Sequence, residues 1–158
     1  MKKTILCIVL LFSITALYAQ NRIIVSKKDF RVVVITPEQD TVCCYKCAVG
    51  TNLGNKEHVG DRRTPEGTFS VKSIEDSRLW KHDFNDGAGM RPYAYGPYFI
   101  RLKTPIWRSI GIHGTCFPES IGTRCSEGCV RLRNEDVAEL VKHIKVGDKV
   151  IIEKDILE

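Results

Sequence analysis

The sequence predicts a mainly β fold in a single domain, of sandwich or barrel type. Three observations predict it. Short runs rich in β-branched and aromatic residues recur along the chain, separated by turn formers. Only one stretch, near the C-terminal end, carries apolar residues at helical spacing. At 158 residues, with no internal repeat or low-complexity segment, the chain suits one hydrophobic core rather than two.

The elements follow in order. Lys2 and Lys3 precede an apolar run, Ile5 to Leu17, and Tyr18-Ala19 supplies a small residue after it. That is the layout of a secretory signal peptide cleaved after Ala19, with an uncleaved N-terminal anchor as the alternative; the run is short for a membrane span. We therefore expect a leader over 1–19, a domain over 20–158, and an exported protein, periplasmic or associated with the cell wall, with no stable membrane span after cleavage. Cys7 lies inside the apolar run, which argues against lipoprotein-type processing. Without Lys2 and Lys3 the formal net charge falls from +5 to +3. That mild excess suits an anionic polymer. No aromatic-interleaved basic patch points to nucleic acid.

Arg22–Ser26 and Phe30–Thr36 read as a hairpin about Lys28-Asp29, and Pro37–Asp40 as the next turn. Thr41–Val49 is a further strand, ending at Gly50. It carries Cys43, Cys44 and Cys47, which suggest either a metal or redox site or small apolar side chains in a strand. The second reading is preferred, because no matching Cys/His pair follows and neighbouring strand residues face opposite ways. Asn52–Arg63 is a polar loop in which His58 is expected to be solvated. Thr64-Pro65-Glu66-Gly67 is a tight turn that launches the strand Thr68–Ile74 and shapes a cleft wall.

Residues 75–97 read as a long irregular segment, the type that often forms a binding loop. Turn chemistry explains Asp83 and Asp86 as well as metal ligation with His82 would. Trp80, Tyr93, Tyr95 and Tyr98 either face a substrate or pin the loop to the core. Tyr98–Leu102 is a strand, Thr104–Ser109 a turn, and Ile110–His113 a short strand whose end delivers His113. Asn134 is placed to cap a helix, with Glu135 and Asp136 in its first turn and Val137, Leu140, Val141 and Ile144 as its apolar stripe. Lys149–Glu153 closes the domain as a strand.

The chemistry concentrates between two of these strands. His113 ends one apolar run. Cys129 follows Gly128 and precedes another, with a polar, Gly- and Pro-bearing loop between them. A thiol becomes an acyl-transfer nucleophile when an imidazole removes its proton. Gly128 lets backbone N–H groups approach a developing oxyanion. Ser126 either donates a hydroxyl or closes the turn. Arg131 either favours the thiolate, clamps a substrate carboxylate or pairs with Glu127. Arg133 is expected at the surface. Cys116 and Cys125 flank the same loop and are candidates to clip it as a disulfide, although spacing alone cannot fix a pairing.

The segments His113-Gly114-Thr115, Ile121-Gly122 and Ser126-Glu127-Gly128-Cys129-Val130-Arg131-Leu132 resemble the signature of the L,D-transpeptidase catalytic domain (YkuD-type). Arg133-Asn134-Glu135-Asp136 and Val146-Gly147 resemble that family's last helix and strand. Asp61, Thr64-Pro65-Glu66-Gly67 and Phe69 resemble its early signature. One departure is Glu127, where the family usually has histidine.

The resemblance implies a β-sandwich with one helix in its C-terminal region and a long active-site loop. It also implies a cysteine-dependent L,D-transpeptidase that acts on peptidoglycan tetrapeptide stems, donor and acceptor, and forms 3→3 cross-links through a thioester. In that reading Cys129 is the nucleophile, His113 the base and the Gly114 carbonyl its orienting group. Gly128, Ser126, Arg131 and Tyr95 serve the oxyanion or the substrate. No cofactor or metal is required. The alternatives are an L,D-carboxypeptidase or peptidoglycan amidase of the same fold, and a non-catalytic wall-binding domain.

Overall fold

The computed structural model describes residues 20–155, so the expected leader and Cys7 lie outside the described residues. The strands are β1 (Arg22–Ser26), β2 (Arg31–Ile35), β3 (Thr41–Lys46), β4 (Val49–Gly50), β5 (Gly67–Asp76), β6 (Lys81–Asp83), β7 (Met90–Pro92), β8 (Tyr98–Leu102), β9 (Gly111–His113), β10 (Arg124–Ser126), β11 (Val130–Arg131) and β12 (Lys149–Ile152). Among the described residues one α-helix, α1 (Asn134–Leu140), packs on them, and a 3-10 turn spans Pro118–Ser120. Eight strands form one sheet in the order β11-β9-β8-β5-β12-β1-β2-β3.

Alternation builds this sheet. In β1, Ile23 and Val25 are buried while their neighbours are partly exposed. Antiparallel pairing sets Ile23 opposite Val34 and Val25 opposite Val32. Parallel pairing on the other side sets the same residues opposite Val150 and Ile152. Apolar side chains thus line up across three strands on one face, and a one-residue slip would turn them all outward. Val137, Leu140 and Ile144, on and just after α1, complete the core with Ile112 and Val130.

The sheet curls until its edges meet. Ala48, two residues beyond β3, exchanges both backbone hydrogen bonds with Arg131 of β11, at 2.9 and 2.8 Å. The parallel pair β4–β10 continues the same seam. A Cβ on Gly50 would lie 2.5 Å from the Arg62 carbonyl oxygen, so only glycine lets loop 62–64 close over β4. Thr64 fixes that approach by accepting the Gly50 N–H at 2.8 Å.

Most expected elements are present, with three differences. The Thr41–Val49 strand is split, because Ala48 leaves β3 to make the seam. The irregular region 75–97 contains a hairpin, β6–β7, paired Lys81–Pro92, His82–Arg91 and Asp83–Met90. Its tip runs through Asn85, Gly87 and Gly89, all at positive φ, so the turn residues that hid the strands are those that join them. At the helix, Arg133 occupies the cap position without a side-chain bond, and Asn134 is already helical. Its amide is used elsewhere, on Thr115.

Candidate active site

The parallel pairing of β9 with β11 sets His113 opposite Arg131 and Ile112 opposite Val130. Cys129, the residue before β11, lines the same cleft as His113. This open cleft, of about 1090 Å³, is walled by loop 56–62, by Ile106–Ile110 and by His82 and Phe84 of the β6–β7 hairpin.

His113 is buried at 3% exposure. Its ring stacks on Phe99 at 5.2 Å and meets the edge of Tyr95 at 4.9 Å. Nδ1 donates to the Gly114 carbonyl at 2.5 Å. That bond fixes the tautomer and leaves the Nε2 lone pair available. Burial pushes the imidazole pKa down to about 3, Arg131 adds to the effect, and the Gly114 carbonyl opposes it.

Cys129 is half-buried, and its Sγ donates to the Ser109 carbonyl at 3.4 Å. Burial raises its pKa to about 11; Glu127 raises it further, while the Gly111 backbone, Arg131 and Arg101 act the other way. At neutral pH the cleft therefore holds an uncharged thiol and an uncharged imidazole.

Ser126 closes the turn that precedes Cys129. It is buried; its Oγ donates to the Cys129 carbonyl and accepts the Gly128 N–H at 3.1 Å. Gly128 sits at φ +132, and a Cβ there would lie 2.8 Å from the Arg63 carbonyl oxygen. Its N–H, expected for an oxyanion, is thus already engaged by Ser126.

Arg131 is 6% exposed, with its guanidinium 5.1 Å from the Phe84 ring centre and Nη1 3.8 Å from Cys125 Sγ. Glu127, the carboxylate of the same turn, is paired with His82. The alternative of an Arg131–Glu127 pair is not what forms, and among the described residues no carboxylate reaches Arg131. Tyr95 lines the cleft beside His113 and His82, and burial pushes its hydroxyl up to about 12. Trp80 lines it too, whereas Tyr93 and Tyr98 do not.

Three contributors escaped sequence reasoning. Phe99 was an ordinary strand residue, and Ser109 acts through its carbonyl, which no side-chain pattern reveals. His82 suggests only a metal ligand in the sequence; its partner is Glu127, at 2.9 Å. Cys116 and Cys125 are free thiols, as are Cys43, Cys44, Cys47 and Cys129. Among the described residues no cluster of three metal-ligating side chains occurs, and no helix is long and apolar enough to cross a membrane.

Loop 56–62 is organised by Asp61, which accepts hydrogen bonds from Lys56 Nζ at 2.6 Å and from the N–H groups of Glu57, His58 and Arg63. The Thr64–Gly67 turn beside it is tied down by Lys27, which is fully buried and reaches Glu66 at 2.6 Å and the Thr64 carbonyl at 3.2 Å.

The family profile described as the L,D-transpeptidase catalytic domain matches residues 20–152. Bacillus subtilis YqjB, named as an L,D-transpeptidase, is 32% identical over 134 residues, covering 84% of this chain and 71% of its own. Escherichia coli ErfK/SrfK, also so named, is 47% identical over 144 residues, covering 82% of this chain and 43% of its own. An L,D-transpeptidase from Mycobacterium smegmatis superposes with a TM-score of 0.63 at 20% identity, covering 85% of this chain and 59% of its own. The helical cell shape determining protein Pgp2 from Campylobacter jejuni does so with a TM-score of 0.63 at 19% identity, covering 87% of this chain and 49% of its own. At those identities the two structures speak to the fold, which is shared. The chain spans less than two thirds of the length of ErfK/SrfK and of both structures.

Proposed function

The chain belongs to the L,D-transpeptidase catalytic domain family, and on that premise we propose that it is a cysteine acyltransferase acting on peptidoglycan tetrapeptide stems and forming 3→3 cross-links. One observation carries the proposal: His113 and Cys129 line one cleft, and the bond from His113 Nδ1 to the Gly114 carbonyl leaves Nε2 free to accept a proton.

The steps follow from those groups. A substrate carbonyl enters beside Cys129, and the thiol leaves the Ser109 carbonyl. His113 Nε2 takes the Sγ proton as sulfur bonds to the carbonyl carbon. The low imidazole pKa makes proton uptake costly at rest; the negative charge developing on the tetrahedral oxygen offsets it. The Cys129 N–H is our candidate oxyanion donor, since Ser126 holds the Gly128 N–H. His113 then returns the proton to the departing D-amino acid nitrogen as the C–N bond breaks, leaving a thioester. An amine of a second stem resolves it to a cross-link; water would instead give carboxypeptidase products. Arg131, a guanidinium without a carboxylate partner, is proposed to hold a substrate carboxylate, and Tyr95 to form part of the wall. No step calls for a metal or cofactor. We further propose that residues 1–19 direct export, after which the domain works in the periplasm or at the cell wall.

The test is intact-mass analysis of protein mixed with a tetrapeptide stem, with the muropeptide products examined in parallel. A covalent adduct on Cys129 with released D-alanine and cross-linked dimers is expected. Tripeptide without dimers would make it a carboxypeptidase. No adduct on a protein with a free Cys129 thiol would overturn the proposal.

A further inference from the structure

The bond that orients His113 depends on one peptide group, and that group is held from its far side. Gly114 C=O and Thr115 N–H belong to the same peptide unit. Every peptide in the described chain is trans, so the C=O and N–H of this unit point in opposite directions. The C=O accepts from His113 Nδ1 at 2.5 Å. The N–H donates to Asn134 Oδ1 at 2.9 Å, and Asn134 Nδ2 donates in turn to the Thr115 carbonyl at 3.1 Å.

The seat for this amide is made by two missing side chains. A Cβ on Gly114 would lie 2.3 Å from Asn134 Oδ1, and a Cβ on Gly96 only 2.1 Å from it. Asn134 stands at the start of α1, where its residue type ordinarily caps the helix; here it makes no cap bond. Both ends of its amide go to Thr115.

We propose that Asn134 is a positioning residue for the reaction, holding the Gly114–Thr115 peptide so that its carbonyl keeps His113 in the Nδ1–H tautomer with Nε2 toward the cleft. The proposal rests on the reading of His113 as the base. Asn134 touches neither the thiol nor the imidazole; it acts through the peptide between them. Without its grip the peptide can rotate, the carbonyl leaves Nδ1, and the proton is free to settle on either ring nitrogen.

The experiment reads the tautomer directly, so it does not depend on turnover. Long-range ¹H–¹⁵N spectra of the ¹⁵N-labelled protein distinguish protonated from unprotonated ring nitrogens, and His113→Gln assigns the signal. In the parent protein at neutral pH, His113 is expected to show a protonated Nδ1 and a bare Nε2. Asn134→Ala is expected to shift population to the Nε2–H form and to slow acylation of Cys129 by a tetrapeptide stem on the order of 10- to 100-fold, with little change in KM. Asn134→Asp keeps an acceptor for the Thr115 N–H and is expected to retain the Nδ1–H form. An unchanged tautomer in a folded Asn134→Ala protein overturns the proposal. Should that variant fail to fold, Asn134→Ser, whose single short hydroxyl cannot span both Thr115 backbone groups, is read instead: a shifted tautomer supports the proposal and an unchanged one overturns it. If the tautomer responds while no variant acylates, the function assigned to the cleft fails but the positioning role stands.

Discussion

His82 Nε2 and Glu127 Oε2 lie 2.9 Å apart and join the β6–β7 hairpin to the turn before Cys129. Both side chains line the cleft, so an imidazole from the hairpin reaches the turn that carries Cys129. The pair is partly exposed, at 29% and 48%. It is therefore worth at most about 1 kcal/mol, and less in high salt.

The charge of Glu127 nonetheless bears on the thiol. It is one of the groups that raise the Cys129 pKa. Glu127→Gln is expected to speed alkylation of Cys129 by iodoacetamide at fixed pH and to quicken amide hydrogen exchange in residues 81–92. Glu127→His is expected to move the pH–rate profile of the acyl transfer. Unchanged rates in both variants would make Glu127 electrostatically silent.

The neutral thiol and neutral imidazole give a second prediction. With the Cys129 thiol near 11, the alkylation rate is expected to climb steadily from pH 7 toward pH 11. A plateau below pH 8 would instead reveal a preformed thiolate–imidazolium pair.

His113 also couples protonation to stability. An imidazole of ordinary value 6.5 is held near 3 in the fold. Between those values the unfolded chain binds a proton that the folded one refuses. Stability is thus fully present above about pH 6.5 and falls as the pH drops toward 3, by about 1.4 kcal/mol per pH unit at most. Thermal unfolding followed across that range is expected to show a loss that His113→Gln removes.

Asp61 acts in a lower window. Burial raises its carboxyl, but Lys56 and three backbone N–H groups together bring it below the ordinary carboxylate range. Its contribution is present above about pH 4 and lost only as the pH falls further. Lys56 is 9% exposed and Asp61 8%. Asp61→Ala leaves the buried ammonium without its partner and is expected to cost about 3–5 kcal/mol. Denaturant unfolding at pH 7 measures it; a loss below 1 kcal/mol would mean that loop 56–62 holds without it.

Arg131 is testable by its planar fork. Arg131→Lys keeps the charge but loses bidentate geometry. KM for a tetrapeptide donor is expected to rise by about 10-fold or more, with a smaller change in kcat. Equal loss in kcat and kcat/KM would mean that the guanidinium acts on the transition state instead.

Much of this arrangement was legible in the residues. Alternation in β1 and β2, and the apolar stripe Val137–Leu140–Ile144, follow from burial, which writes itself into side-chain type. His113 and Cys129 were legible because a Gly-flanked thiol box and a strand-end histidine are rarely found together without cause. The β6–β7 hairpin was hidden because its strands are three residues each and its turn residues dominate the composition. The Asn134 amide reads as a helix cap in the sequence because its partner, Thr115, is distant along the chain and is recognised through backbone atoms. Ser109 was invisible for the same reason: a carbonyl carries no residue signature.

The register of β1 against β12 governs how the chain can fold. Arg22 pairs with Lys149 and Val25 with Ile152, so a strand from each end of the domain lies side by side in the interior of the sheet. Until residue 152 has emerged from the ribosome, β1 and β5 have no strand between them, and the sheet keeps two open edges there even where the Ala48–Arg131 seam has formed. Contacts of such long sequence separation make folding slow.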